Sequence, residues 1–273
     1  MSDAVPVPEI LTPDVDTPTE EPSLSAEINK TTRDLHDIVN VLIMNRLSSC
    51  LKSRDHTLYR EGILSFYHVY RTFEHVWASL LLSSASTDLT VHYLLSTLSD
   101  PRMIRSPALA ADCSYLFPDN TFHPDAPVPE NRPQVKEFVA HMQRVLEEKP
   151  HVMVAYAHMF YMALFAGGKV LRRMIVAKEG FFPVRKPAGD QEEARKMGTQ
   201  MFMFPVEEGK GEELRKRFKE AVAIVEVGLD EDERAGKSRD REDCEGTRKT
   251  DGGIHRYSGG EQGDLPVERK ADL

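Results

Sequence analysis

Apolar residues between positions 23 and 228 recur at three- and four-residue intervals, and no stretch of strand length alternates apolar with polar. That period belongs to helices burying one face, so the chain is expected to be all-α. The first helix opens at Pro22-Ser23, with Ser23 or Ser25 as cap, and Leu24, Ile28, Leu35, Val39 and Leu42 carry its stripe to about Leu47. A second, over 57–82, sets Ile63, Phe66, Tyr67, Tyr70, Phe73, Trp77 and Leu81 on one broad face, and that aromatic content makes it the centre of the core. Shorter helices are expected over 88–98 and 107–116, where Ser106-Pro107 reads as cap and first turn. The five prolines between Pro118 and Pro133 make a loop, and Pro133 opens another helix. The most apolar helix starts at Pro150 and runs to about Lys178, interrupted at Gly167-Gly168. Residues 180–210 read mostly as loop with an extended patch over 201–205, and a last helix covers 212–227.

Both ends differ from this middle. Residues 1–22 hold five prolines and six acidic residues but no basic one, and 229–273 is charge-dense with Tyr257 as its one aromatic. Neither stretch has the apolar surface to offset the entropy of ordering, so both are expected to be disordered tails flanking one domain, 23–228. A net charge of −9 without an aromatic-laced basic cluster argues against a nucleic-acid partner. Three cysteines without metal or redox spacing, and no secretory signal, point to a reduced, cytoplasmic compartment. The longest apolar run, Val152 to Ala166, has 15 residues and includes His158, which suits a buried helix better than a membrane span. The hydrophilic C-terminus speaks against a tail anchor, and a monomer is expected.

Chemistry concentrates in three places. His36 shares a helix side with Val39, Asn40 and Ile43, and an imidazole on a half-apolar face suits a proximal ligand to haem iron. A lone histidine is also commonly a surface or core residue, and the ligand role could fall instead to His68, His158 or another histidine. Gly167-Gly168 inside an apolar helix costs on the order of 1–2 kcal/mol against alanine, which implies a kink, a helix–helix contact or close approach to something flat. Lys30 and Arg33 precede His36, and Arg215, Lys216, Arg217 and Lys219 crowd the last helix, either as solvated faces or as cations for an anionic ligand.

Taken in order, these segments resemble the haem oxygenase family over about residues 23–228. Thr31-Thr32-Arg33-Asp34-Leu35-His36 resembles its proximal-helix segment, and Phe66-Tyr67-His68-Val69-Tyr70 with Phe73-Glu74 its second-helix aromatic motif. Pro150-His151 through Val154-Ala155, Tyr161, Gly167-Gly168 and Val170-Leu171 is similar to its distal helix, and Phe202-Met203-Phe204-Pro205 to the segment before its propionate-binding helix. The resemblance implies a single-domain helical fold holding haem between a proximal and a kinked distal helix. It implies His36 as iron ligand, Lys30, Arg33, Arg215 and Lys219 near the propionates, and Gly167 and Gly168 against the porphyrin. Asn29 stands where the family often has a lysine. Two departures fall on the distal side: Ala163-Leu164 replaces a Gly-Asp pair whose aspartate anchors proton-delivering water, and Phe160 replaces an arginine.

Two functions follow from the resemblance. One is oxygen-dependent opening of haem, as both substrate and cofactor, to a biliverdin-type tetrapyrrole, iron and carbon monoxide. Electrons would come from NADPH through a flavoprotein reductase, and protons through water held near the glycine pair or by Tyr161 or His158. The other is a non-catalytic haem carrier or sensor, with Leu164 marking the loss of oxygen activation.

Overall fold

A computed structural model of the chain describes residues 23–83, 89–117, 121–207 and 210–228. The tails expected at 1–22 and 229–273, and Cys244, lie outside the described residues. Among those residues the fold is all-helical, with no strand. The helices are α1 (Leu24–Ser53), α2 (Thr57–Leu82), α3 (Leu89–Leu98), α4 (Ser106–Leu116), α5 (Pro133–Glu148), α6 (Met153–Ala163), α7 (Lys169–Val176), α8 (Gln191–Met197) and α9 (Gly211–Gly228). Short 3₁₀ turns occupy Pro101–Met103, Pro150–Val152 and Gln200–Phe202, and a π-helical turn, Leu164–Gly168, joins α6 to α7.

Ser23 caps α1 through its Oγ, which accepts from the Ala26 amide at 3.3 Å, and Glu27 lies in the favourable first turn. The helix continues six residues beyond the expected Leu47, to Ser53. Leu47 and Cys50 are buried, and their packing outweighs the weak helix preference of Ser48 and Ser49. It stops at Arg54, whose φ of 55° is left-handed and whose amide closes on the Cys50 carbonyl.

As its aromatic face requires, α2 is the central helix, packed on by α4 and α5. Tyr70 and Phe73 meet Phe160 and Tyr161 of α6, and Phe73 and Trp77 meet edge to face at 5.5 Å. Pro107 sits in the first turn of α4 as expected, but Ser106 is not its cap. The orphan amides there are satisfied by Glu74 of α2, whose carboxylate accepts from the Arg105 amide at 2.6 Å and from the Ser106 amide at 2.9 Å. Glu74 is itself buried, which raises its pKa against the opposing effect of those bonds.

The run Pro150–Val176 is by length and composition alone apolar enough to cross a membrane. In the fold its residues Met153, Val154, Ala157, Tyr161 and Ile175 join the core instead. Within the expected loop 180–210, α8 forms because Asp190 caps it, accepting from the Glu193 amide at 2.9 Å, while Glu193 reaches back to the Gly189 amide at 2.6 Å. Where an extended patch was expected, Gln200–Phe202 is a 3₁₀ turn.

Candidate functional site

α1 is buried at its ends and bare in its middle. Leu24 and Ile28 at one end and Leu47 and Cys50 at the other join the core, but Leu35, Val39 and Leu42 between them are about half exposed. Buried leucine and valine side chains each stabilise a fold by roughly 1.5–3 kcal/mol, so a helix leaves such a stripe bare only where something else covers it. His36 stands on this stretch with its side chain 59% exposed. Its Nδ1 lies 3.4 Å from Asp37 Oδ1. Donation there leaves the Nε2 lone pair free for a ligand bond.

The second bare surface lies on the helix carrying the glycine pair. Ala163, Ala166 and Val170 are exposed and Gly167 is half-buried, one turn after another along one side. A Cβ at Gly167 would meet nothing within 4 Å. This strip is flat, apolar and almost free of side chain. The π-helical turn falls within it, and such turns widen a helix and bend it.

Near the start of α1 this helix is touched by polar contact. His158 Nε2 lies 3.3 Å from Asn29 Oδ1, and His158 is 2% exposed. Its Nδ1 has no hydrogen-bond partner, and burial together with the nearby charge of Lys219 lowers its pKa. Lys30, Arg33 and Lys219 are exposed. Arg215 is half-buried, donates to Glu212 at 3.2 Å, and keeps a buried Nε with no partner. The exposed cations suit an anionic group.

Three expected site residues do not reach either bare strip. Tyr161 is 1% exposed among Tyr70, Phe73, Trp77 and Phe218, and burial raises its pKa well above the ordinary tyrosine value. Its ring instead lines a cavity of about 80 Å³ with Glu74, Trp77 and Met103. Leu164 is 6% exposed, on the same side as Gly168. Gly168 faces inward: a Cβ there would stand 3.3 Å from the Phe202 ring, so its lack of a side chain serves packing. The glycines therefore divide, Gly167 toward open space and Gly168 toward the core.

His68 is 2% exposed, and burial with the charge of Arg71 pushes its pKa down to about 4. A histidine held neutral in the fold but free to charge when unfolded stabilises the native state fully above about pH 6.5. That contribution is lost as pH falls toward 4, and amounts to something on the order of 2 kcal/mol. His68→Phe should therefore flatten the fall in melting temperature between pH 6.5 and 4. Parallel curves for variant and wild type would clear His68 of this role.

The profile described as "Heme oxygenase" matches residues 22–234. The chain is 28% identical over 197 residues to "Heme-binding protein HMX1" of Saccharomyces cerevisiae, a match covering 70% of this chain and 61% of that relative's length. The fold superposes on crystalline heme oxygenase 2 from Chlamydomonas reinhardtii, solved without heme, with a TM-score of 0.60 at 19% identity, covering 78% of this chain and 87% of that one. An all-helical fold of this shape, with the profile spanning most of its length, makes the assignment: the chain belongs to the haem oxygenase family.

Proposed function

We propose that the chain binds haem between the bare middle of α1 and the bare strip on α6–α7, and that it opens the ring in an oxygen-dependent reaction. The observation that carries this reading is the pair of uncovered apolar strips, one bearing an exposed imidazole, on helices that touch at Asn29 and His158. Leu35 and Val39, beside His36, would pack one porphyrin face, and Ala163, Ala166 and Gly167 the other. His36 would hold the iron through Nε2, with Asp37 orienting the ring. Lys30, Arg33, Arg215 and Lys219 would meet the propionates. Bound haem supplies the iron that activates oxygen and the ring that is opened. The electrons come from NADPH through a flavoprotein reductase. A wall without side chain at Gly167 lets backbone approach closely and restricts where a small ligand can lie, an effect of orientation.

A second reading, a haem carrier or sensor, is favoured by one observation: Ala163, Ala166, Gly167 and Val170 offer no side-chain proton donor on the distal strip. The deciding test is anaerobic haem loading followed by reductase, NADPH and oxygen. Loss of the Soret band with release of a bile pigment is expected, and a persistent ferrous–oxygen spectrum would favour the carrier. His36→Ala should abolish the histidine-ligated spectrum while leaving helicity unchanged. An unaltered spectrum would move the ligand elsewhere and sink the proposed pocket.

A further inference from the structure

Behind the distal strip lies a strap, residues 199–205, held in an unusually polar way. Asp112 on α4 is fully buried, and its two oxygens accept separately from the Gln200 amide at 2.7 Å and the Met201 amide at 2.8 Å. Arg105, 2% exposed, donates to the Met203 carbonyl at 2.6 Å and, from its other nitrogens, to Met103 at 3.0 Å and Arg102 at 2.9 Å. Its guanidinium also lies 4.4 Å from the centre of the Phe204 ring. Three backbone groups of the strap are thus fixed by a buried carboxyl in the middle of α4 and a buried guanidinium at its N-cap; burial pushes the Asp112 pKa up to about 7 against the effect of its two amide donors.

The strap's two rings point at the π-helical turn. Phe204 stacks on Phe165 with centroids 4.6 Å apart and planes 17° apart. Phe202 is the ring that a Cβ on Gly168 would crowd. Buried apolar side chains alone would fill this space, and buried charges are costly. What the polar pair adds is a defined position, since a carboxyl bonded through both oxygens and a planar guanidinium fork tolerate little displacement.

We propose that Asp112 and Arg105 are positioning residues for the distal helix: acting through Phe202 and Phe204, they clamp the strap against Leu164–Gly168 and so set the bend of the strip at Gly167. The functional meaning of that bend rests on the haem-binding reading above, but the clamp does not.

Hydrogen exchange on the ligand-free full chain tests the clamp directly. In Asp112→Asn one strap amide loses its acceptor, and amides over 164–176 should exchange about tenfold faster than in wild type, beyond any change in α5. Leu146→Ala, which empties a fully buried site on α5, serves as the destabilised control and should show no such local excess. Phe202→Leu, which keeps both polar contacts, should reproduce the excess, and it stands in for Asp112→Asn if that variant does not fold. Acceleration spread evenly over the molecule, or equal over 164–176 in the control, overturns the proposal. With haem and carbon monoxide added, the C–O stretch should shift or split in Asp112→Asn and Phe202→Leu and stay unchanged in Leu146→Ala. An unshifted band in haem-bound Asp112→Asn overturns the link from clamp to strip. A wild type that binds no haem overturns the functional reading, and the exchange result still decides the clamp.

Discussion

Gly167→Leu should lose haem affinity by roughly a hundredfold or more while its melting temperature stays within a few degrees of wild type. The free fold has room for the new side chain, because nothing stands within 4 Å of a Cβ at this position. Leucine is also the better helix former by up to about 1 kcal/mol, which offsets small adjustments in the turn. The same room is what a porphyrin would occupy, so the side chain competes with the ligand and with nothing else. Gly168→Leu should behave in the opposite way. There the Phe202 ring would be 3.3 Å from the Cβ alone, and the longer side chain has to displace packed rings. Stability should fall by about 1–3 kcal/mol, with affinity following only as far as the fold is lost. Titration of haem against both variants, beside thermal melts, separates the two glycines. Full affinity in Gly167→Leu would show that the strip is not a ligand surface.

Leu164→Asp restores the aspartate of the related pattern, and its expected effect is on the fold. Leu164 is 6% exposed and packs on the Gly168 side of the helix, away from the bare strip. A carboxylate there loses apolar burial and is itself desolvated, a cost of about 3 kcal/mol. For a domain of this size that lowers the melting temperature by roughly 6–12 °C. Single-turnover pigment yield at matched haem occupancy should not rise. A gain in yield with little loss of stability would mean that the helix turns Leu164 toward the ligand when haem binds.

Much of this was legible in the residues. The aromatic stripe of α2 identified the central helix because most of its rings are too large and too regularly spaced to be left on a surface, although Phe66 at its edge is 39% exposed. Likewise, the proximal segment ending in His36 lay where the bare stretch of α1 is found. The faces of the distal helix were less legible. Reading the glycines as a pair treats them alike, yet adjacent helical residues point about 100° apart, and only the packing around them decides which one looks outward. Tyr161 illustrates the same difficulty, since its neighbours in sequence are as apolar as its neighbours in space. Glu74 as the cap of α4 could not be read at all, because the two ends of that contact are 31 residues apart. By contrast, Asp190 with Glu193 is a short-range capping pattern that marks α8 in the sequence itself.

The π-helical turn at Leu164–Gly168 bears on how this part of the chain could change over evolutionary time. A turn of that kind holds about one residue more than an α-helical turn of the same rise. The extra residue behind that curvature is stored as chain length, so exchanges of one amino acid for another at the strap can shift the bend but cannot remove the residue that makes it possible. Loss of a single codon in this stretch would close the turn into ordinary α-helix. Every side chain on one flank would then rotate by about 100° against the other, putting Gly167 and Gly168 out of step with Phe202 and the bare strip together. The turn itself should thus outlast substitutions that damage packing or binding, but almost no deletions.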